Sequence, residues 1–165
     1  MTHMFYGCKS LKKVDLNNID TSEVIDMSAM FFNCSSLEEV NLSNLNNNKL
    51  INMNYMFQGC TSLKKINLYN FNTENVIKMR KTFFNCKSLE ELNLESFNTS
   101  NVSDIYKMFK NCFKLKNLIL SKYGTNIINN NEYSISDIFK GCNDDLINQI
   151  NEKNKNINKN TKGEN

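Results

Sequence analysis

The six cysteines of this chain are the residues best suited by type to bind a metal or form disulfides. Five recur every 26 residues and the sixth follows after 30, at Cys8, Cys34, Cys60, Cys86, Cys112 and Cys142. Metal sites use cysteine and histidine ligands at short spacings such as C-x-x-C. A buried cysteine, by contrast, behaves as a small apolar side chain. The long, regular spacing therefore predicts a structural core column, with no metal site and no cofactor.

The single histidine gives no support for an enzyme. His3 shares its repeat position with side chains of very different chemistry, which is typical of a surface position. The equivalent residues are Ala29, Tyr55, Lys81, Lys107 and Asp137. One histidine near the N-terminus does not complete a Cys-His or Ser-His-Asp set, and the carboxylates of Glu39 and Glu91 lie two units apart. The sequence predicts a non-catalytic protein.

The cysteines belong to a longer repeated segment. The stretch MFYGCKSLKKVDL at residues 4–16 returns at residues 30–42, 56–68, 82–94 and 108–120, and a partial copy begins at Ile138. A fixed period of this size is typical of solenoids, in which each unit packs only on its neighbours. The repeats therefore predict stacked units that stabilise one another.

Each unit is predicted to place a short helix before its cysteine. Val24, Met27, Phe31 and Cys34 follow the spacing of an apolar helix face. The residue before every cysteine is glycine or asparagine, the types that tolerate the left-handed conformation at the end of a helix. These residues are Gly7, Asn33, Gly59, Asn85, Asn111 and Gly141.

A short strand is predicted after each cysteine, with Val14 and Leu16 directed inward in the first unit. The positions before the inward residue alternate in charge: Lys12-Lys13, Glu38-Glu39, Lys64-Lys65, Glu90-Glu91 and Lys116-Asn117. In-register parallel stacking would set opposite charges side by side at every step. We therefore predict an α/β fold of about five units, with a parallel sheet of short strands on one face and short helices on the other.

The units account for residues 1–142, with four extra residues in a polar loop at 126–132. Residues 143–150 are predicted to form a helix that covers the last core layer, and the polar residues 151–165 to be disordered. Met1 occupies the repeat position of Met27 and Met53. The chain is thus expected to begin within a repeat, leaving its first layer uncovered and able to associate end to end with another copy.

Charge and hydropathy narrow the range of partners. The net charge is +3, and acidic and basic residues are interspersed along the chain, which indicates a solvated surface and no nucleic-acid footprint. No apolar run reaches the length of a membrane span, and the N-terminus has no apolar segment typical of a signal peptide. The sequence alone thus leaves a cytoplasmic location open.

The pattern MFxxCxSLxxLxL, followed by FxTxxVxxM, resembles the BspA-like leucine-rich-repeat proteins, in particular their 26-residue repeat of the bacterial-lipoprotein type. Its best copy runs from Phe71 through Thr73 to Val76 and Met79, and the resemblance extends over residues 1–142. It implies a leucine-rich-repeat solenoid that is secreted or displayed on a cell surface and acts in adhesion.

The outward strand positions form the expected binding face, since solenoids commonly bind partners through their sheet. The candidate residues are Lys13, Asp15, Glu39, Asn41, Lys65, Asn67, Tyr69, Glu91, Asn93, Glu95 and Phe113. Exposed aromatic residues concentrate binding energy, so Tyr69 is the first candidate hot spot and Phe113 the second. A protein or a glycan would suit this polar face. The alternatives are a passive spacer or truncated array that associates with itself, and an intracellular scaffold.

Overall fold

A computed structural model describes residues 1–17, 19–121 and 133–160, the last seven by their helical backbone only. Five short strands come first and two helices follow. They are β1 (Lys13–Asp15), β2 (Glu39–Asn41), β3 (Lys65–Asn67), β4 (Glu91–Leu94), β5 (Asn117–Leu120), α1 (Ile135–Phe139) and α2 (Asp144–Asn160). All five strands lie where the alternation after each cysteine predicts them.

The strands pair in parallel with a shift of one unit. In the first sheet Val14 lies beside Val40 and Val40 beside Ile66, in the order β1-β2-β3. In the second sheet Leu92 lies beside Leu118, joining β4 to β5. Equivalent residues of neighbouring units are therefore neighbours in space, and each repeat position becomes a column.

The segments before the first five cysteines are not the predicted helices. In the second unit the amide of Cys34 donates to the carbonyl of Phe31 at 3.1 Å, three residues back, which makes a turn. The amides of Phe31 and Asn33 donate instead to the backbone carbonyls of Met56 and Gln58 in the next unit, at 2.9 and 2.7 Å. Because alternate amides bind the neighbouring unit, they are not available for the bonds within a helix. The helix prediction is wrong here, and a second ladder between units replaces it.

Two positions in each unit have a left-handed backbone. The predicted glycine and asparagine column before the cysteines has φ values between 56° and 78°. A second column was not predicted, and consists of His3, Ala29, Tyr55, Lys81 and Lys107, with φ between 52° and 62°. Side chains other than glycine rarely adopt this conformation. Hydrogen bonds between units stabilise this conformation here, as when the amide of Ala29 donates to the backbone carbonyl of Asn54 at 2.9 Å.

A helix does form before the sixth cysteine. In α1 the amide of Lys140 donates to the carbonyl of Ser136 at 3.2 Å, and the side chain of Ser134 caps the helix by accepting from the amide of Asp137 at 3.1 Å. This segment is followed by α2 and not by another unit of the same kind. Its amides therefore bond to carbonyls of the same segment, which explains why the predicted helix appears only here.

The core is made of stacked columns. Six phenylalanines stack face to face with ring centroids 5.2–5.7 Å apart: Phe5, Phe31, Phe57, Phe83, Phe109 and Phe139. The cysteines form an adjacent column, and five of the six are buried, as predicted; Cys8 is exposed. Each buried thiol donates to the phenylalanine carbonyl of the preceding unit, as from Cys60 to Phe31 at 3.1 Å.

The C-terminal helix covers the last layer with Leu146 and Ile150, which are both buried. It runs to Asn160, past the predicted end at residue 150. The polar loop at 126–132 and the end of the predicted tail, residues 161–165, lie outside the described residues.

The cysteine column allows a matched test of the thiol ladder. Cys60→Ala removes a buried side chain and its hydrogen bond to Phe31, and should lower the free energy of unfolding by about 1–2 kcal/mol. Cys8→Ala changes the same repeat position in the exposed first unit, and should change that free energy by less than about 0.5 kcal/mol. Equilibrium urea unfolding measures both. Equal losses would contradict a structural role for the buried column.

Candidate functional site

Ten of the eleven predicted binding residues lie along the sheet. Lys13, Asp15, Glu39, Asn41, Lys65 and Asn67 line one shallow groove across β1, β2 and β3. Asn67 continues into a cleft between β3 and β4 that also involves Tyr69, Asn93 and Glu95. Glu91 and Asn93 face the region between β4 and β5. Tyr69 is the most exposed large apolar or aromatic side chain of the described chain, with 68% of its surface accessible.

Phe113 does not lie on the sheet. It sits in the turn directly after Cys112, four residues ahead of β5, and its ring is 5.9 Å from the ammonium of Lys87. The pattern of exposed aromatic residues selected it, but its position in the unit is that of a turn. The prediction missed Ile119, which is half exposed on β5 where earlier units carry aspartate or asparagine. The change of residue type in that column was the available signal.

The aspartate and asparagine column of the sheet has a structural task. The side-chain oxygen of each accepts a hydrogen bond from the amide two residues later, as from Asn17 to Asp15 at 3.0 Å and from Tyr69 to Asn67 at 3.1 Å. Such a bond closes the turn that ends the strand. The amide of Glu95 likewise donates to the side-chain oxygen of Asn93 at 2.8 Å. This column therefore sets the backbone of the face as well as its polarity.

The alternating charges pair between units as predicted at three steps. Lys13 contacts Glu39 at 2.8 Å, Lys64 contacts Glu38 at 3.0 Å, and Lys116 contacts Glu90 at 3.2 Å. Hydrogen bonding to Lys13 lowers the pKa of Glu39, and the same bond raises the pKa of Lys13. These pairs are exposed, so they favour the register of the strands more than they add to stability.

The predicted pairing fails at one step, between β3 and β4. Neither Lys64 nor Lys65 forms an ion pair with Glu90 or Glu91, and no backbone hydrogen bond joins these two strands, all of whose residues are described. The turn ladder on the other side of the same two units is intact, with the amide of Gly59 2.8 Å from the carbonyl of Phe84. The third and fourth units are thus joined on one side and apart on the other.

A residue change explains where the strands part. Asn44 and Asn70 follow the second and third strands with a left-handed φ of 56°, and the amide of Asn44 donates across to Tyr69 at 3.0 Å. Ser96 occupies the same repeat position after β4 and is not left-handed. Its hydroxyl instead donates to the carbonyl of Leu68 at 3.0 Å. A side-chain bond here replaces the backbone ladder.

The result is a cleft of about 310 Å³ at the centre of the sheet. Its floor includes Ile66, which remains partly exposed although Val40 and Leu92 in the same column are 3% and 2% exposed. Tyr69 and Glu95 stand at its rim, and Ser96 lies across from Leu68. The sequence analysis did not single out Ile66 or Ser96. The replacement of asparagine by serine in one column was the signal that could have found them.

The described residues also bear on metal binding and on thiol reactivity. Within the ranges that the structure covers, no three His, Cys, Asp or Glu side chains are placed to hold a metal ion. Burial raises the pKa of the Cys34 thiol to about 11 and that of the Cys86 thiol further, which keeps these sulfurs in the unreactive protonated form. Neither described helix combines the length and apolar character that a membrane crossing requires.

Sequence and structure together define a tandem-repeat protein whose 26-residue units pair through parallel strands and through a ladder of turns. The chain belongs to the family described as "Mycoplasma protein of unknown function, DUF285", whose model matches residues 1–123 and again residues 41–154. No curated protein and no solved structure matches it. The family description states no activity.

The exposure of the thiols gives a direct test of the cysteine column. In the native protein Cys8 alone should react rapidly with a thiol-specific reagent at mildly alkaline pH, because the other five thiols are buried. Denaturation should release all six. A Cys8→Ser variant should lose the rapid phase, and a rapid phase that persists in this variant would contradict the buried column.

Proposed function

We propose that the chain is a leucine-rich-repeat solenoid of the BspA-like type and acts as a non-catalytic interaction module. It binds a protein or a glycan through the outward face of its sheet. The observation that supports this most is the cleft between β3 and β4, which is lined by the exposed ring of Tyr69 together with Asn67, Asn93 and Glu95. The resemblance of the repeats to BspA-like proteins supports a secreted or cell-surface location.

The face has the composition of a binding surface. Tyr69 provides a large ring at its centre, and aromatic residues at such positions dominate the energetics of many interfaces. Lys65 and Glu95 add opposite charges to the face, and Asn67 and Asn93 present amides. A protein or glycan with matching hydrogen-bonding groups would fit this mixture better than an apolar ligand.

The regular side-chain columns elsewhere in the chain argue against catalysis. The buried thiols donate to backbone carbonyls, as Cys86 does to Phe57 at 3.2 Å, and are therefore occupied by structure. His3 contacts the ring of Tyr6 at 5.3 Å in the first unit, away from Tyr69. A catalytic set needs a nucleophile and a base within hydrogen-bonding reach, and this pairing does not supply one.

The sheet face is tested by screening the chain against a glycan array and a library of extracellular proteins, then comparing variants on any partner found. Tyr69→Ala with Glu91→Ala should weaken binding by about tenfold or more, as expected for loss of a hot spot. Glu74→Ala removes an exposed carboxylate away from the sheet and is the matched control. Unchanged affinity in the double variant would contradict binding through this face.

A second candidate function is self-association through the first unit. Met4 and Tyr6 each expose 52% of their surface, and Cys8 is exposed where its later equivalents are buried. Within the described residues, no strand pairs with the outer edge of β1. Such an edge pairs readily with another chain. In this second proposal the chain serves as a spacer or as a self-assembling array.

Light scattering on the isolated chain tests this second function. The wild type should form dimers or larger species at high concentration, and Met4→Glu with Tyr6→Glu should shift it to monomer, because charge opposes burial of this layer. Tyr69→Glu is the control, since it adds a charge on the sheet face. A monomer at high concentration in the wild type would exclude self-association through the first unit.

A further inference from the structure

The cleft between β3 and β4 exposes backbone groups that a parallel sheet normally pairs. On β3, the backbone amide of Lys65 donates to the carbonyl of Glu38, and the carbonyl of Asn67 accepts from the amide of Leu42. Both bonds lie on the β2 side. Residues alternate between the two sides of a parallel strand, so the amides of Ile66 and Leu68 are directed towards β4. No hydrogen bond is formed there by either amide, and both residues belong to the described chain.

The facing edge of β4 is open in the same way. The amide of Asn117 on β5 donates to the carbonyl of Glu90 at 3.2 Å. By the same alternation the amides of Glu91 and Asn93 are directed towards β3, and neither finds a partner among the residues that the structure covers. Two parallel edges with the same direction and register therefore face each other across the cleft.

The opening has the form of a wedge. The turn ladder between the third and fourth units keeps its bonds, as from Phe57 to Thr82 at 2.9 Å. Near the sheet, the rings of Phe71 and Phe97 are tilted by 27°, whereas the rings of the main phenylalanine stack deviate by 14° at most. The two units are joined at their turns and lie apart at their strands.

We propose that this cleft binds an extended polypeptide segment, which lies between β3 and β4 and pairs with their open edges. Along each edge the free groups belong to alternate residues, and thus repeat about every 6.6 Å. An extended peptide carries donors and acceptors at the same interval, and sheets elsewhere bind peptides by adding a strand in this way. This inference rests on the proposed function and names the partner class of the same face.

The floor of the cleft sets a requirement on the side chains of the segment. Ile66 is partly exposed there between the buried Val40 and Leu92, so the segment should direct an apolar side chain inward onto it. Alternate side chains would then point outward beside Tyr69 and Asn67. Full insertion needs about 4.8 Å between neighbouring strands on each side. It would therefore break the hydrogen bond from the Ser96 hydroxyl to the carbonyl of Leu68 across the cleft, while the turn ladder on the other side of the two units keeps them joined.

The first test uses a variant that can be closed and opened. Asn67→Cys with Asn93→Cys, made with Cys8→Ser to remove the exposed thiol, places two cysteines in register across the cleft. When oxidised the pair should hold β3 against β4, and when reduced the same side chains leave the cleft open. Asp15→Cys with Asn41→Cys provides the control disulfide across β1 and β2, which are already paired.

The probe is a phage library of short random peptides, selected on the wild-type chain. Enriched peptides should alternate apolar and polar residues and should bind the oxidised cleft variant at least about tenfold more weakly than the reduced one. The control disulfide should leave their affinity unchanged. Failure to enrich any peptide, or equal binding to the oxidised and reduced cleft variants, would overturn the proposal.

Hydrogen exchange supplies a readout that does not depend on the disulfide. In the unliganded protein the amides of Ile66 and Leu68 should exchange faster than that of Leu42, which donates to Asn67 at 2.9 Å. A selected peptide should protect Ile66 and Leu68. Ser96→Asn, which restores the asparagine of the other units, should protect them without peptide and weaken peptide binding. Protection of Ile66 and Leu68 equal to that of Leu42 in the free wild type would overturn the proposal.

The two proposals fail in different ways. A partner that loses affinity with Tyr69→Ala and Glu91→Ala, yet binds the oxidised cleft variant as tightly as the reduced one, would uphold binding on the sheet face and overturn insertion between the strands. A partner that is unaffected by the Tyr69 and Glu91 changes and also binds the oxidised variant fully would overturn both.

Discussion

Hydrogen bonding between one unit and the next is the constraint on which the rest of this structure depends. The strands exchange backbone bonds across a shift of 26 residues, and so do the turns before the cysteines, where Phe31 and Asn33 donate to Met56 and Gln58. A buried backbone group must find a partner. Here that partner belongs mostly to the neighbouring unit, so a unit acquires its shape by stacking.

The side-chain columns follow from this register. Once equivalent backbones are neighbours, equivalent side chains are too, and only residues that pack on copies of themselves can fill the interior. Phenylalanine does so by face-to-face stacking, with Phe31 and Phe57 5.3 Å apart. Cysteine does so by donating its thiol to the carbonyl of the phenylalanine one unit back, as Cys60 does to Phe31. The cysteine period is thus a consequence of packing.

The sequence was informative wherever a repeat position alone determined the outcome. The strands, their parallel register, the buried cysteines and the left-handed column that includes Asn33 and Gly59 could all be predicted. The helices could not, because an apolar spacing such as that of Met27 and Phe31 is the same for a helix and for a tight turn. What decides between them is whether the amides bind within the unit or to the next, which depends on tertiary contacts.

The candidate site lies where the repetition is imperfect, and this is why averaging over the repeats hides it. Most columns conserve their backbone geometry from unit to unit. This pairs the strand edges between units and leaves only side chains for a partner there. The change from Asn70 to Ser96 removes a left-handed turn, and the facing edges of β3 and β4 remain unpaired. Edges in the interior of a sheet are otherwise inaccessible to other chains. A single departure from the repeat therefore leaves backbone hydrogen-bonding groups on the sheet that a partner chain can bind.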